Sequence, residues 1–211
     1  MTLLYFARHG ETDDNARSVF QGQTGKGLNP RGRAQARRLA ERMHKSRVTS
    51  IFTSDLERAV ETSLIVGAAC GVEPGMDPDL REVDVGRWSG RSHAEIEDLY
   101  PEEWAAWSNG LDLRRGGGET YAELAHRIDR AVVRVCASDA RDPVLVVSHG
   151  GAIKSYVAKI LGVSADGLRA LAGVGNAGLT VVERDGRGRM RLHAWNDTAH
   201  LEGLLAIEQT D

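Results

Sequence analysis

The chain has 211 residues, 41% of them hydrophobic and 27% charged, with a formal net charge of −3 at pH 7. This is enough apolar material for one domain, or one domain with a lid, and it leaves no polybasic footprint for nucleic acid or an anionic membrane. The apolar runs are far too short to span a bilayer, and Met1-Thr2 leads straight into a strand-like run without the regions of a secretory leader.

Leu3-Leu4-Tyr5-Phe6-Ala7 is a short continuous apolar run and reads as a buried strand over 2–8. A first helical turn over 11–16 and a Gly- and Gln-containing loop over 17–28 follow. Asn29-Pro30 opens a helix, Asn as N-cap and Pro in the first position, which runs to about Lys45 on Ala36, Leu39, Ala40 and Met43. Thr49-Ser50-Ile51-Phe52 is a second strand. Ser54 and Glu57 have capping-box spacing and predict a helix over about 55–69 that ends at Gly71. Residues 72–80, with Pro74 and Pro78, form a short strand or loop. Residues 87–118 are irregular, with short helices near 93–99 and 102–108, and carry Trp88, Trp104 and Trp107. Such a stretch is a candidate lid. Thr120 and Glu123 make another capping box, for a helix to about Ala137. A strand over 144–148, a helix over 151–161 and strands over 178–183 and 190–195 complete the chain, with Asp185-Gly186 as the turn of a final hairpin. Strands that alternate with helices predict an α/β fold, its sheet mainly parallel with an antiparallel edge. Cys70 and Cys136 fall in helix-like segments without a spaced framework, which predicts reduced thiols in a cytoplasmic protein.

Two of these strands end alike, the first in Arg8-His9-Gly10 and the other in Ser148-His149-Gly150-Gly151. In an open α/β sheet, ligands bind outside the carboxyl ends of the strands. Two histidines delivered to one edge suggest one site built from both. Arg8 and Arg58 are fork-shaped donors suited to phosphate, and Arg58 falls in the first turn of a helix whose free N–H groups also favour anions. These cations disfavour an imidazolium, so His9 is expected to be neutral and nucleophilic near neutral pH. Taken singly, each residue has a plainer reading: His9 as a structural strand-end histidine, Arg58 as an exposed helix arginine, His149 as a helix cap, Glu82 as a surface carboxylate.

The ordered set is specific. Arg8-His9-Gly10-Glu11-Thr12, Asn15, Gln21-Gly22, Leu28, Gly32 and Gln35-Ala36 are followed by Ser54, Asp55, Leu56, Arg58, Ala59 and Thr62. Then come Leu80-Arg81-Glu82, Gly86, Trp88, Gly90, Gly118-Glu119, Ser148-His149-Gly150-Gly151 and Asn176. On these residues the chain resembles the histidine phosphatase (phosphoglycerate mutase-like) superfamily over nearly its whole length. The resemblance implies a three-layer α/β/α sandwich and a single such domain over 1–211. It implies that His9 attacks phosphorus and becomes phosphohistidine, that Arg8, Arg58 and His149 hold the phosphoryl oxygens, and that Glu82 is general acid and then base. Asn15 would donate to the same phosphate, with Gln21, Gly22 and Gly150 as further substrate-binding residues. No metal or other cofactor is implied, because fixed cations stabilise the transferring group.

The short chain, and Leu171 to Ala177 with Trp195-Asn196, resemble actinobacterial phosphatases of the superfamily, of which one branch acts on glucosyl-3-phosphoglycerate. The expected reaction is hydrolysis of a small sugar- or glycerate-type phosphomonoester; mutase-type phosphoryl transfer and a non-catalytic phospho-ligand module are the alternatives. The loop Gln23-Thr24-Gly25-Lys26-Gly27 lacks the acidic residue frequent in the family. Lys26, with Arg114 or Arg115, is therefore a candidate for a second anionic group, against a solvated loop lysine. Trp104 or Trp107 is a candidate sugar-stacking residue, against core packing. His44, His93, His126 and His193 read as solvent or packing histidines, and His200 as structural. No nucleic acid or membrane partner is expected; apolar hairpin and helix faces are compatible with a homodimer that nothing in the sequence specifies.

Overall fold

The computed structural model describes residues 1–138, 140, 142–164 and 166–204. The single-domain expectation extends to 205–211, which lie outside the described residues. The chain runs β1 (Thr2–Arg8), α1 (Asp13–Ala16), α2 (Pro30–Lys45), β2 (Ser50–Thr53), α3 (Glu57–Cys70), β3 (Gly75–Met76), α4 (His93–Leu99), α5 (Pro101–Ser108), α6 (Tyr121–Ala137), β4 (Val144–Ser148), α7 (Gly150–Ile160), β5 (Leu179–Arg184) and β6 (Met190–Asp197). Among the described residues no helix is long and apolar enough to cross a membrane.

The sheet order is β3-β2-β4-β1-β5-β6. The first four strands are mutually parallel; β5 and β6 join antiparallel at the other side. This is the mainly parallel α/β fold with an antiparallel edge that the element order predicts. Strand alternation divides the core between the two faces. Leu4 and Phe6 of β1 and Val144 and Val146 of β4 pack with Ile128 and Val132 of α6 and Ile153 and Tyr156 of α7. Ala7, Leu145 and Val147 face the other way, onto Leu39 and Met43 of α2 and Ala59 and Val66 of α3. With helices on both faces, β4 is buried at every position, which is why Val144 to Val147 are continuously apolar rather than alternating.

β1 and β4 are hydrogen-bonded neighbours with Arg8 opposite Ser148. Their carboxyl ends therefore open side by side, and His9 and His149 follow on adjacent turns. Close contact with α2 fixes the first turn. A Cβ on Gly10 would lie 2.4 Å from the Gly32 carbonyl oxygen, and a Cβ on Gly32 would lie 2.0 Å from that of Glu11. Only glycine at both positions lets the helix sit against the loop.

One local expectation is corrected, and a second is borne out with a longer turn. The capping box at Ser54 and Glu57 does not form: α3 starts at Glu57 with Leu56 as N-cap and no side-chain cap bond, because the Ser54 hydroxyl lies against His149 instead. The β5–β6 hairpin forms, but its turn spans residues 185–189. Asp185 Oδ1 accepts from the backbone N–H groups of Arg187 and Arg189, and Gly188 rather than Gly186 takes the positive φ, 80°.

The 87–118 insert is held to the body by aromatic packing. Trp88 is fully buried, with ring centroids 5.7 Å from Phe20, 6.2 Å from Trp104 and 5.9 Å from Trp107. Backbone bonds link Phe20 N–H to the Arg91 carbonyl and Gly90 N–H to that of Phe20.

Candidate active site

A cavity of about 300 Å³ opens at the carboxyl end of β1, bordered by Arg8, His9, Asn15, Gln21, Gly22, Arg58 and Glu82, and on the insert side by His93, Arg115 and Tyr121. His9 is 3% exposed. Its Nδ1 lies 2.7 Å from the Gly10 carbonyl oxygen, an acceptor only, so the ring hydrogen sits on Nδ1. Nε2 is then the lone-pair nitrogen, and it accepts from Arg58 Nε at 3.2 Å. The remaining Arg58 donors are tied to the loop that follows, Nη1 to the Thr24 carbonyl at 2.6 Å and Nη2 to that of Gly22 at 2.7 Å. Arg58 thus clamps the Gln21–Gly22 wall and aims one N–H at His9.

His149 is fully buried behind His9, with ring centroids 5.1 Å apart. Ser54 Oγ accepts from the Leu56 N–H at 3.3 Å and lies in hydrogen-bond contact with His149 Nε2 at 2.8 Å. The other ring nitrogen, His149 Nδ1, is buried without a partner. Arg8 donates through Nη1 to the Val174 carbonyl at 2.7 Å, while its Nε is also buried and unpartnered. Unused donors of this kind are costly unless an anion takes them. Asn15 Oδ1 accepts from the Thr12 N–H and from Asn176 Nδ2 at 3.1 Å, so its NH2 is the part available to the cavity.

Burial is the largest cause that holds His9 well below the ordinary histidine range, with Arg58 and then Arg8 adding to it. His149 is depressed in the same way, by burial, then Arg58, His9 and Arg8. Burial and the neighbouring cations thus both favour the neutral imidazole, with desolvation the larger of the two. Burial pulls Arg58 down to about 10, still a cation at neutral pH.

Glu82 sits at the first turn of α7. Oε2 accepts from the Gly151 N–H at 3.0 Å, and Oε1 from Ala152 at 3.0 Å and from Val83 at 2.9 Å. Its carbonyl is held by Arg127 Nη2 at 3.1 Å. The free N–H groups at the helix N-terminus thus fix the position of the Glu82 carboxyl group.

All the expected catalytic side chains converge here. Gly150 lies beside Arg8, its Cβ position 3.5 Å from Arg8 Nε, whereas Gly151 borders the cavity. Lys26 is exposed and borders a different cleft, with Asp13, Asp14 and Arg17. Arg114 is exposed and paired with Glu123. Neither tryptophan named for sugar stacking borders the cavity; both pack around Trp88. Sequence reasoning missed Ser54 as the partner of His149, His93 and Tyr121 as walls, and Arg127 behind Glu82. His93 had no motif, but its place opening a helix of the insert was legible. Among the described residues no group of three or more His, Cys, Asp or Glu side chains is arranged to hold a metal ion.

The family model of the histidine phosphatase superfamily (branch 1) matches residues 4–198. Phosphoglycerate mutase-like protein 4 of Arabidopsis thaliana is 34% identical over 204 residues, which cover 94% of this chain and 86% of that protein. Glucosyl-3-phosphoglycerate phosphatase of Mycolicibacterium vanbaalenii is 34% identical over 215 residues, with 94% and 96% covered. The solved structure of a mycobacterial glucosyl-3-phosphoglycerate phosphatase complexed with VO3 superposes at a TM-score of 0.86 and 35% identity, over 93% of this chain and 99% of that one. By this match, and by its ordered site residues, the chain belongs to the histidine phosphatase superfamily, branch 1, as a phosphatase of that superfamily.

Proposed function

We propose that this phosphatase hydrolyses small phosphomonoesters of the sugar- or glycerate-phosphate type, without a metal ion, through a phosphohistidine on His9. The observation that carries the reading is the His9 tautomer: Nδ1–H is held by the Gly10 carbonyl and the Nε2 lone pair is at the cavity beside Arg58. When a phosphoryl group enters, its oxygens take the donors of Arg58 Nε, Arg8 Nε, His149 Nδ1 and the Asn15 amide, and His9 Nε2 is released for in-line attack. The P–O bond to the leaving group breaks as the P–N bond forms, and Glu82 gives its proton to the departing oxygen. Water then attacks phosphorus, its proton passes to Glu82, the P–N bond breaks and orthophosphate leaves. The arginines stabilise charge on the transferring phosphoryl group, the task a metal performs elsewhere.

Glucosyl-3-phosphoglycerate is one candidate substrate, on the relatives named above. The partner assigned is the small ester alone, with neither nucleic acid nor membrane. We place the enzyme in the cytoplasm on its two free thiols, Cys70 and Cys136.

The test is phosphate release in EDTA across a panel of esters, with p-nitrophenyl phosphate as reference. Turnover undiminished by EDTA, with preference for sugar or glycerate phosphates, is the expected result. Turnover that needs an added metal overturns the mechanism. Transfer to an added alcohol rather than to water replaces hydrolysis with mutase-type chemistry.

A further inference from the structure

Arg115 sits on the 3-10 turn Arg115–Gly117 that closes the insert and is 2% exposed. It borders the same cavity as His9, Arg8 and Arg58. Its guanidinium carbon lies 3.8 Å from the centre of the Tyr121 ring, another wall of that cavity. Its Nε and Nη2 are shielded from solvent and have no hydrogen-bond partner. An arginine is charged at all working pH values, and a charged group stripped of water without a partner is costly.

The neighbouring carboxylates are committed elsewhere. Glu119 feels Arg115 through space, but it is gripped by Arg127 Nη2 at 2.7 Å and accepts from the Asp84 N–H at 2.9 Å. Glu103 accepts from Trp88 Nε1 at 3.2 Å and from the Gly116 N–H at 3.3 Å, and pairs with Arg87. The phosphoryl end of the cavity already has two cations, Arg8 and Arg58. Arg115 is a third cation on the insert side, beyond what one phosphoryl group calls for.

The geometry points to Arg115 as a specificity-determining residue that receives a carboxylate on the substrate while the phosphoryl group lies against His9. This deepens the hydrolase reading above and rests on it: the preferred substrate is a phosphomonoester that also carries a carboxylate. Nε and Nη2 are neighbours on one edge of the guanidinium, the edge that takes both oxygens of a planar carboxylate. A small swing of the side chain into the cavity gives both donors an acceptor. One carboxylate also matches the single charge of Arg115. Phe20 and His93, with ring centroids 4.9 Å apart, wall the space between with aromatic surface, which suits a short carbon skeleton.

The test compares 3-phosphoglycerate with glycerol 3-phosphate, which has a hydroxymethyl group in place of the carboxylate. Both are titrated calorimetrically into wild type, Arg115→Gln and Arg115→Lys, and phosphate release from both is measured in parallel. Wild type should prefer the carboxylated compound about ten- to hundredfold, the worth of one charge-assisted contact. That ratio should fall to within about threefold in Arg115→Gln and to an intermediate value in Arg115→Lys, which keeps the charge without the fork. A ratio that is the same in all three proteins, or no preference in wild type, overturns the assignment. If Arg115→Gln fails to fold, the ratio in Arg115→Lys decides. A wild-type protein that shows the binding preference but releases no phosphate from either compound overturns the hydrolase reading and keeps Arg115 as an anion subsite.

Discussion

Arg58 Nε donates to His9 Nε2 across 3.2 Å, so the lone pair assigned to attack phosphorus is held by the guanidinium that is also assigned to the phosphoryl group. One contact therefore keeps the nucleophile oriented and unprotonated, and substrate oxygens compete for it.

The first expectation concerns pH. His9 and His149 are held well below the ordinary histidine value of 6.5 by burial and then by Arg58. In the unfolded chain both take up protons near 6.5; in the folded chain they do not. Stability is therefore fully present above pH 6.5 and falls as pH drops below it, by roughly 1.4 kcal/mol per pH unit for each such histidine. Urea midpoints at pH 7.5 and 5.5 should show this loss, with a flatter slope in His149→Asn. Activity should behave differently. Corrected for ionisation of the substrate, kcat/KM should show no acid limb from His9 near 6.5. A limb there that shifts when Arg58 is replaced by lysine would contradict a depressed His9.

Glu82 packs against the first turn of α7, its carboxyl group bonded to the Gly151 and Ala152 N–H groups. Glu82→Gln should slow esters with poor leaving groups about a hundredfold or more, but p-nitrophenyl phosphate less than about tenfold, because a good leaving group needs little proton donation. A Cβ on Gly151 would lie 2.6 Å from Glu82 Oε1, so Gly151→Ala should displace the carboxylate and give the same asymmetry in weaker form. Equal losses on both ester types, in both variants, would remove Glu82 from the acid role.

Ser54 positions His149 through the 2.8 Å contact to Nε2. Ser54→Ala leaves a buried ring nitrogen without its hydrogen-bond partner, at a cost of about 1–3 kcal/mol in stability. It also frees the ring to change tautomer. Urea denaturation should read the first effect. The second should appear as weaker inhibition by inorganic phosphate, by several-fold. Unchanged inhibition would mean that His149 is held by packing alone.

Much of this was legible in the sequence because the signals were local. β1 and β4 announce themselves as apolar runs, and each carries its histidine to the strand end by chain continuity. The parallel pairing that brings His9 beside His149 follows from strands alternating with helices. Ser54 was misread because a hydroxyl before a helix fits both an N-cap and a buried histidine partner; tertiary contact decides between them. Gly186 and Gly188 compete for the left-handed position of one turn, and the Asp185 carboxylate, bonded two and four residues ahead, settles it in favour of Gly188. Lys26 and Arg115 were grouped by charge, yet loop direction puts only Arg115 at the cavity. Which side of a loop faces a site depends on packing against distant residues, here Phe20, Trp88 and Tyr121, and no spacing encodes it.

The central claim is a covalent bond between phosphorus and His9 Nε2, and the most direct measurement is to trap it. The enzyme is mixed with a 32P-labelled phosphomonoester in EDTA, quenched in alkali within one turnover, digested and mapped. Phosphohistidine survives alkali and is lost in acid, so label on the peptide that holds His9, acid-labile and absent from a folded His9→Ala protein that no longer turns over, is the expected result. Turnover without label on that peptide, or substantial turnover by His9→Ala, would contradict the account.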